Sequence, residues 1–244
     1  PKGVMTSHEN LLLGVDSVSR YLNLENEDKL AAILPLAFDA GLNFVLSGLY
    51  TGGQVEFLSY LLPKSLIKSL RERNITCLLL VPSVYQQITP HLDDPLIDLR
   101  ICASTGGTMP TDTVDNLLSL HPRLSFYVMY GLTEAFRSSF LSPADYPQKK
   151  GSIGKAIPHA EVLVVNERGE ECKPKERGEI VHCGPLVSLG YLNNVEATKA
   201  RYQPTPSYSK YYNMFDRCVY SGDIGWKDEN GFLYFVGRND RMIK

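Results

Sequence analysis

The sequence predicts an α/β fold, a parallel sheet covered by helices with a β-rich subdomain after it, on three observations. Between residues 54 and 130 short apolar runs alternate with amphipathic ones, which is the rhythm of βαβ units. The apolar run Ile75 to Val81 is nearly continuous, as a strand covered on both faces must be. After about residue 150 helical patterns nearly vanish, and short strands are separated by turn signals such as Glu167-Arg168-Gly169 and Glu229-Asn230-Gly231.

Taken in order, Ser7 is placed to cap a helix that carries Leu11, Leu12, Val15 and Val18 on one face. Gln54 to Phe57 reads as a strand, Pro63 to Arg73 as a helix with proline in its first turn, and Ile75 to Val81 as a buried strand. Ser83 to Ile88 is a short helix and Leu99 to Ser104 a strand. Pro110 to Leu120 is a helix with Leu117, Leu118 and Leu120 inward, and Leu124 to Tyr130 is a strand. Beyond residue 150 the expected strands are Glu161 to Val165, Gly178 to Cys183, Val219 to Ser221 and Phe232 to Val236, with one helix, Val195 to Tyr202. Residues 203–216, with two prolines and Tyr208, Tyr211 and Tyr212, read either as a surface loop or as a partner or substrate contact.

The 244 residues are 43% hydrophobic and 21% charged, an ordinary globular composition. A net charge of -2 and a pI near 6.3 give no polycationic surface for nucleic acid or anionic lipid. No apolar run approaches the roughly 20 residues that span a bilayer. The five cysteines (Cys77, Cys102, Cys172, Cys183, Cys218) are widely spaced and mostly within apolar runs, so reduced core thiols in a cytoplasmic protein are expected. The five histidines show no metal-ligand spacing.

The most informative stretch is Tyr130-Gly131-Leu132-Thr133-Glu134. A buried run ends there in a glycine turn that projects a hydroxyl and a carboxylate, and ligands of parallel sheets collect beyond the carboxyl ends of the strands. A threonine followed by a glutamate also starts helices, so the stretch alone leaves both readings open. Four other motifs accompany it: Pro1-Lys2-Gly3-Val4 with His8-x-Asn10; Thr105-Gly106-Gly107; Tyr220-Ser221-Gly222-Asp223; and Gly237-Arg238-x-Asp240 running to Ile243-Lys244. Together, in this order, they resemble the adenylate-forming (AMP-binding) superfamily of acyl-CoA synthetases, firefly luciferase and nonribosomal peptide synthetase adenylation domains.

The resemblance implies the large-domain portion of such an enzyme. Residues 1–149 would form the α/β nucleotide- and acyl-binding part, 150–238 a β-rich, barrel-like part, and 239–244 a hinge to a C-terminal lid. The family's phosphate loop precedes Lys2 and its lid follows Lys244. The chain therefore resembles a central slice of a protein roughly twice as long, expected to be inactive alone.

The family reaction joins a carboxylic acid to ATP with magnesium, gives an acyl adenylate, and passes the acyl group to CoA or to the phosphopantetheine of a carrier protein. On that pattern Thr133 contacts the α-phosphate, Glu134 holds magnesium and Lys2 contacts the β- and γ-phosphates. Thr105, Gly106 and Gly107 border the adenine beside Tyr130 and Gly131. Asp223 takes the ribose hydroxyls, Arg238 closes on ribose and phosphate, and Asp240 is the hinge. Phe38 and Asp39 fall in the acyl pocket, to which Tyr127, Tyr130 and residues 104–108 also contribute.

Asp39 matches the carboxylate that pairs with an amino-acid ammonium, whereas Leu132 matches acyl-CoA synthetases. A buried carboxylate is costly unpaired, so Asp39 faces a cation, caps a helix at Ala40 or reaches solvent. Three functions stay open at this point: an acyl-CoA ligase core, a domain loading a carrier protein, and a non-catalytic nucleotide-binding module.

Overall fold

In the computed structural model, which describes residues 2–239, the elements in chain order are β1 (Val4–Met5), α1 (His8–Leu22), β2 (Lys29–Ala32), α2 (Asp39–Tyr50), β3 (Gln54–Phe57), α3 (Pro63–Glu72), β4 (Cys77–Leu80), α4 (Pro82–Ile88), β5 (Ile101–Ser104), α5 (Thr111–Leu120), β6 (Ser125–Tyr130), β7 (Ser139–Leu141), β8 (Lys155–Ala156), β9 (Glu161–Val165), β10 (Gly178–Cys183), β11 (Gly190–Tyr191), α6 (Val195–Arg201), β12 (Tyr202–Pro204), β13 (Arg217–Lys227) and β14 (Leu233–Arg238). They form two compact units. The α/β unit runs from Val18 to Tyr130 and takes in Leu141–Gly151; the strand-rich unit holds the chain up to Ser17, Gly131–Phe140 and the residues from Ser152 onward. The last of these junctions lies between Gly151 and Ser152. The structure also assigns the N-terminal stretch and the Gly131–Phe140 turn to the strand-rich unit.

In the α/β unit the strands β3, β2, β4, β5 and β6 lie side by side in that order, all parallel. The residues of β4 and β5 are buried throughout, which explains why they read as unbroken apolar runs. Proline at the first turn starts α3 and α4 where its missing N–H costs nothing. Tyr85 of α4 is fully buried, its hydroxyl donating to the carbonyls of Leu78 and Ala103 at 3.2 and 3.1 Å. At the amino ends of the strands Asp28, 2% exposed, accepts from Arg100 Nε at 2.6 Å, Thr76 Oγ1 at 2.7 Å and the Glu25 N–H at 2.8 Å. Burial alone would raise its carboxyl; the Arg100 guanidinium and the other donors outweigh that and hold it below the usual range. This ion pair sits at the end of the sheet away from ligand sites, so its role is structural.

Ser7 begins α1 as expected. Its Oγ accepts from the Asn10 N–H and Asn10 Oδ1 accepts from the Ser7 N–H, both at 3.0 Å, a reciprocal capping box. The face read from the sequence needs one correction: Leu12 is 62% exposed, and the buried stripe continues from Val15 and Val18 to Leu22. Within the α/β unit the four-residue β2 and the helix α2 also escaped the pattern.

In the strand-rich unit β9, β10 and β13 are antiparallel neighbours, and β13 pairs β12 through its first residues and β14 through its last. The barrel-like expectation is corrected: this is an open, branched sheet, with no closed barrel among the described residues. The branch follows from a register shift between β10 and β13 around Gly222, whose φ is +68°. The 203–216 segment lies on this sheet. Tyr211 packs against the cluster of Leu163, Val165, Val181, Cys183 and Cys218, and Tyr208 donates to the Gly169 carbonyl at 2.9 Å. Four cysteines are buried and Cys172 is partly exposed, and all five thiols are free. Among the described residues no helix is long and apolar enough to cross a membrane.

Candidate nucleotide site

The Gly131 turn is tight. A Cβ there would lie 3.0 Å from the Arg137 Cα, so the glycine lets the chain fold back on itself. Leu132 leads into a single 3-10 turn, Thr133–Ala135, and Phe136 closes it with a left-handed φ of 54°. Thr133 is exposed and Glu134 half-buried. Leu132 itself packs into a cluster with Tyr191, Tyr202 and Val219, so its leucine character has a packing reason whatever the substrate.

Glu134 is fixed from two sides. Its carbonyl accepts the Ser188 N–H at 2.9 Å, and its Oε1 accepts the Tyr191 hydroxyl in a short bond. Ser188 Oγ is in turn 2.6 Å from the Tyr202 hydroxyl, and the rings of Tyr191 and Tyr202 meet edge to face at 5.7 Å. Burial, with the Glu134 carboxylate beside it, raises the Tyr191 hydroxyl above the ordinary tyrosine range, so it stays a protonated donor. Lys2 joins this group. β1 pairs β11 with Val4 opposite Tyr191, which lays the Lys2 ammonium 4.7 Å from the centre of the Tyr191 ring.

The His8-x-Asn10 part of the first motif has a structural reason. Asn10, 4% exposed, donates to the carbonyls of Pro185 and Val187 at 2.6 and 3.3 Å and so holds the loop that delivers Ser188.

Asp223 and Arg238 stand directly opposite each other on β13 and β14, with Arg238 Nε 3.3 Å from Asp223 Oδ1. Asp223 is 7% exposed and its N–H donates to Ser221 Oγ at 3.0 Å. The Gly222 N–H donates to Glu179 Oε1 at 2.7 Å. The Tyr220-Ser221-Gly222-Asp223 motif therefore presents its carboxylate by means of the register shift.

In the α/β unit Thr105 is buried and Gly106 has φ +82°. A Cβ on Gly106 would lie 3.4 Å from Val81 Cγ1 and 3.9 Å from Phe38 Cε1, so this loop and the half-exposed Phe38 ring are neighbours. A Cβ on Gly107 would lie 3.5 Å from Pro82 Cγ. Asp39 is the first residue of α2, whose N-cap is Phe38 with no side-chain cap. Of the readings left open, capping at Ala40 is not what occurs. The partly exposed carboxylate lies in the first helical turn, where the helix dipole favours it. Gly41 is needed because a Cβ would meet the Pro35 carbonyl at 2.6 Å. Tyr130 closes β6, partly buried. Asp240 lies outside the described residues.

Within the strand-rich unit the structure thus joins Lys2 to Glu134 through Tyr191, and Asp223 to Arg238. Within the α/β unit it joins the 105–107 loop to Phe38. Sequence reasoning missed Tyr191, Tyr202 and Ser188. The signal was the Gly190-Tyr191 pair: Gly190 has φ +124°, and its Cβ would meet Thr198 Cγ2 at 2.6 Å.

The profile of a family described as AMP-binding enzyme matches residues 1–192. The chain belongs to the AMP-binding enzyme family. A 2-succinylbenzoate–CoA ligase of Bacillus licheniformis is 28% identical over the whole of this chain and 48% of its own length. A D-alanine–D-alanyl carrier protein ligase of the same species is 29% identical over the whole chain and 49% of its own length. The solved structure of O-succinylbenzoate coenzyme A synthetase from Bacillus subtilis in complex with AMP superposes with a TM-score of 0.86 at 25% identity, covering all of this chain and 48% of that one. The chain spans about half the length of the curated relatives it matches.

Proposed function

We propose that these residues form the ATP-binding core of an AMP-forming acid–thiol ligase, which activates a carboxylic acid as its acyl adenylate and passes the acyl group to CoA. The observation that carries the reading is the Asp223–Arg238 pair, a largely buried carboxylate presented by a strand shift opposite an arginine, in a unit that also fixes Glu134. A carboxylate accepts from both ribose hydroxyls, and Arg238 is within reach of the same sugar and its phosphate. Thr133, exposed beside Glu134, donates to the α-phosphate. Lys2 brings positive charge for the outer phosphates.

Glu134 suits magnesium, since Tyr191 occupies only Oε1 and Oε2 has no donor among the described residues. No group of three His, Cys, Asp or Glu side chains is found among those residues, and magnesium needs only one or two protein carboxylates beside water and phosphate oxygens. The ion, when bound, supplies charge neutralisation where two anions must approach. Tyr191 orients the carboxylate and, by staying protonated, adds no competing negative charge.

In the α/β unit Thr105, Gly106 and Gly107, with Tyr130, would border the adenine, and Phe38, which neighbours that loop, and Asp39 would serve the acyl pocket. Tyr127, which is buried, is assigned to the same pocket. Asp240 serves as the hinge. The protein works in the cytoplasm, where ATP and CoA are supplied.

A second reading, loading of a carrier-protein phosphopantetheine, is favoured by Phe38-Asp39 and by the similarity to a carrier protein ligase. Pyrophosphate exchange by the complete polypeptide over a panel of carboxylic and amino acids separates the two. Exchange with non-amino carboxylic acids is expected. Exchange with amino acids alone would replace the first reading by the second, and binding of AMP without exchange for any acid would leave a non-catalytic nucleotide module.

A further inference from the structure

One guanidinium in the strand-rich unit, that of Arg201, is paired with no carboxylate among the described residues. Arg201 is the last residue of α6, where a cation is ordinarily accounted for by the helix dipole. Its head, however, leaves that helix for Gly222. Nη1 lies 2.8 Å and Cζ 3.9 Å from the point where a Gly222 Cβ would be, and Arg238 Nη2 lies 3.8 Å from the same point. The two arginines thus converge over a position kept clear by the lack of a side chain. With Asn239 they line an open hollow of about 340 Å³.

The Arg201 Nε is shut off from solvent and donates to no acceptor among the described residues. The carboxylates around it are already engaged: Asp223 by Arg238, Glu179 by the Gly222 N–H and Glu134 by Tyr191. Its charge is nevertheless felt by buried neighbours, since it pulls down His182, Tyr191 and Tyr202, none of which gives it an anion at neutral pH. The lining of the hollow itself holds two guanidiniums and no carboxylate. A planar guanidinium with unspent N–H groups matches phosphate oxygens better than it matches any neutral group.

We propose that Arg201 is a phosphate-contacting residue of the nucleotide site, acting with Arg238 across the hollow over Gly222, so that the site selects AMP over adenosine. This rests on the reading of Asp223 as the ribose ligand, and the test separates the two. Titration calorimetry of AMP and of adenosine is compared for the chain, Arg201→Met and Asp223→Ala, with thermal unfolding of each.

Arg201→Met is expected to weaken AMP about ten- to a hundredfold, the range for one charge-assisted hydrogen bond, and to leave adenosine unchanged. Asp223→Ala is expected to weaken both alike. If Arg201→Met fails to fold, Arg201→Lys keeps the stem and charge without the fork and is expected to lose AMP affinity severalfold. An AMP-to-adenosine ratio that neither variant shifts, with both ligands bound, overturns the assignment of Arg201 and leaves the ribose reading standing. Failure of both ligands to bind the unaltered chain overturns the ribose reading and this one with it.

Discussion

Alanine in place of Asp223 is expected to weaken AMP binding at least a hundredfold in titration calorimetry. Both ribose hydroxyls would donate to this carboxylate, and each charge-assisted bond contributes about 1.5 to 3 kcal/mol net. Losing two at the lower end is about 3 kcal/mol, or about a hundredfold. Asp223 is already oriented, by its place on β13, by the Ser221 hydroxyl that accepts from its N–H and by Arg238 across the strand pair. Little ordering cost therefore offsets the bonds. Asparagine at the same position keeps the shape and loses the charge, so an intermediate loss is expected. An unchanged affinity, with unfolding also unchanged, would remove Asp223 from the site.

The second large effect is on stability below neutral pH. His182 lies in the middle of β10, 2% exposed, and burial, reinforced by the Arg201 charge, pushes its imidazole down to about 3. The unfolded chain binds a proton at this histidine near pH 6.5 and the folded chain does not. The contribution of His182 is therefore fully present above about pH 6.5. It is lost as the pH falls toward 3, at up to about 1.4 kcal/mol per pH unit. Urea unfolding between pH 7 and 4 should show this slope, and His182→Leu should lack that part of it. An NMR titration checks the cause directly: the His182 ring signals should stay fixed down to about pH 4, and a midpoint near 6.5 would contradict it.

The parts of the fold that were legible in the sequence are those whose environment is uniform. β4 is buried throughout and so reads as an apolar run, and α3 announces itself by proline at the first turn. α2 was hidden because it has no side-chain cap and because seven of its residues, including Gly41, Asn43, Ser47 and Gly48, are buried. Small and polar residues in a buried helix leave no amphipathic period to find. β13 was expected to be short because Gly222, Asp223 and Gly225 look like a turn. The register shift absorbs them, and the strand runs for 11 residues.

The site divides the same way. Lys2, Glu134, Asp223 and Arg238 could be nominated from the sequence because they sit in ordered motifs. Tyr191 and Arg201 could not be, because their meaning comes from contacts across the chain: Tyr191 lies 57 residues from Glu134, and Arg201 turns out of a short helix onto Gly222.

A crystal structure of the chain with AMP is the most direct measurement of the central claim, that Asp223 and the Thr133–Glu134 turn belong to one nucleotide site. The ribose hydroxyls should lie within hydrogen-bond distance of the Asp223 carboxylate, with the phosphate toward Thr133. A nucleotide bound elsewhere, or with its sugar turned away from Asp223, would contradict the account.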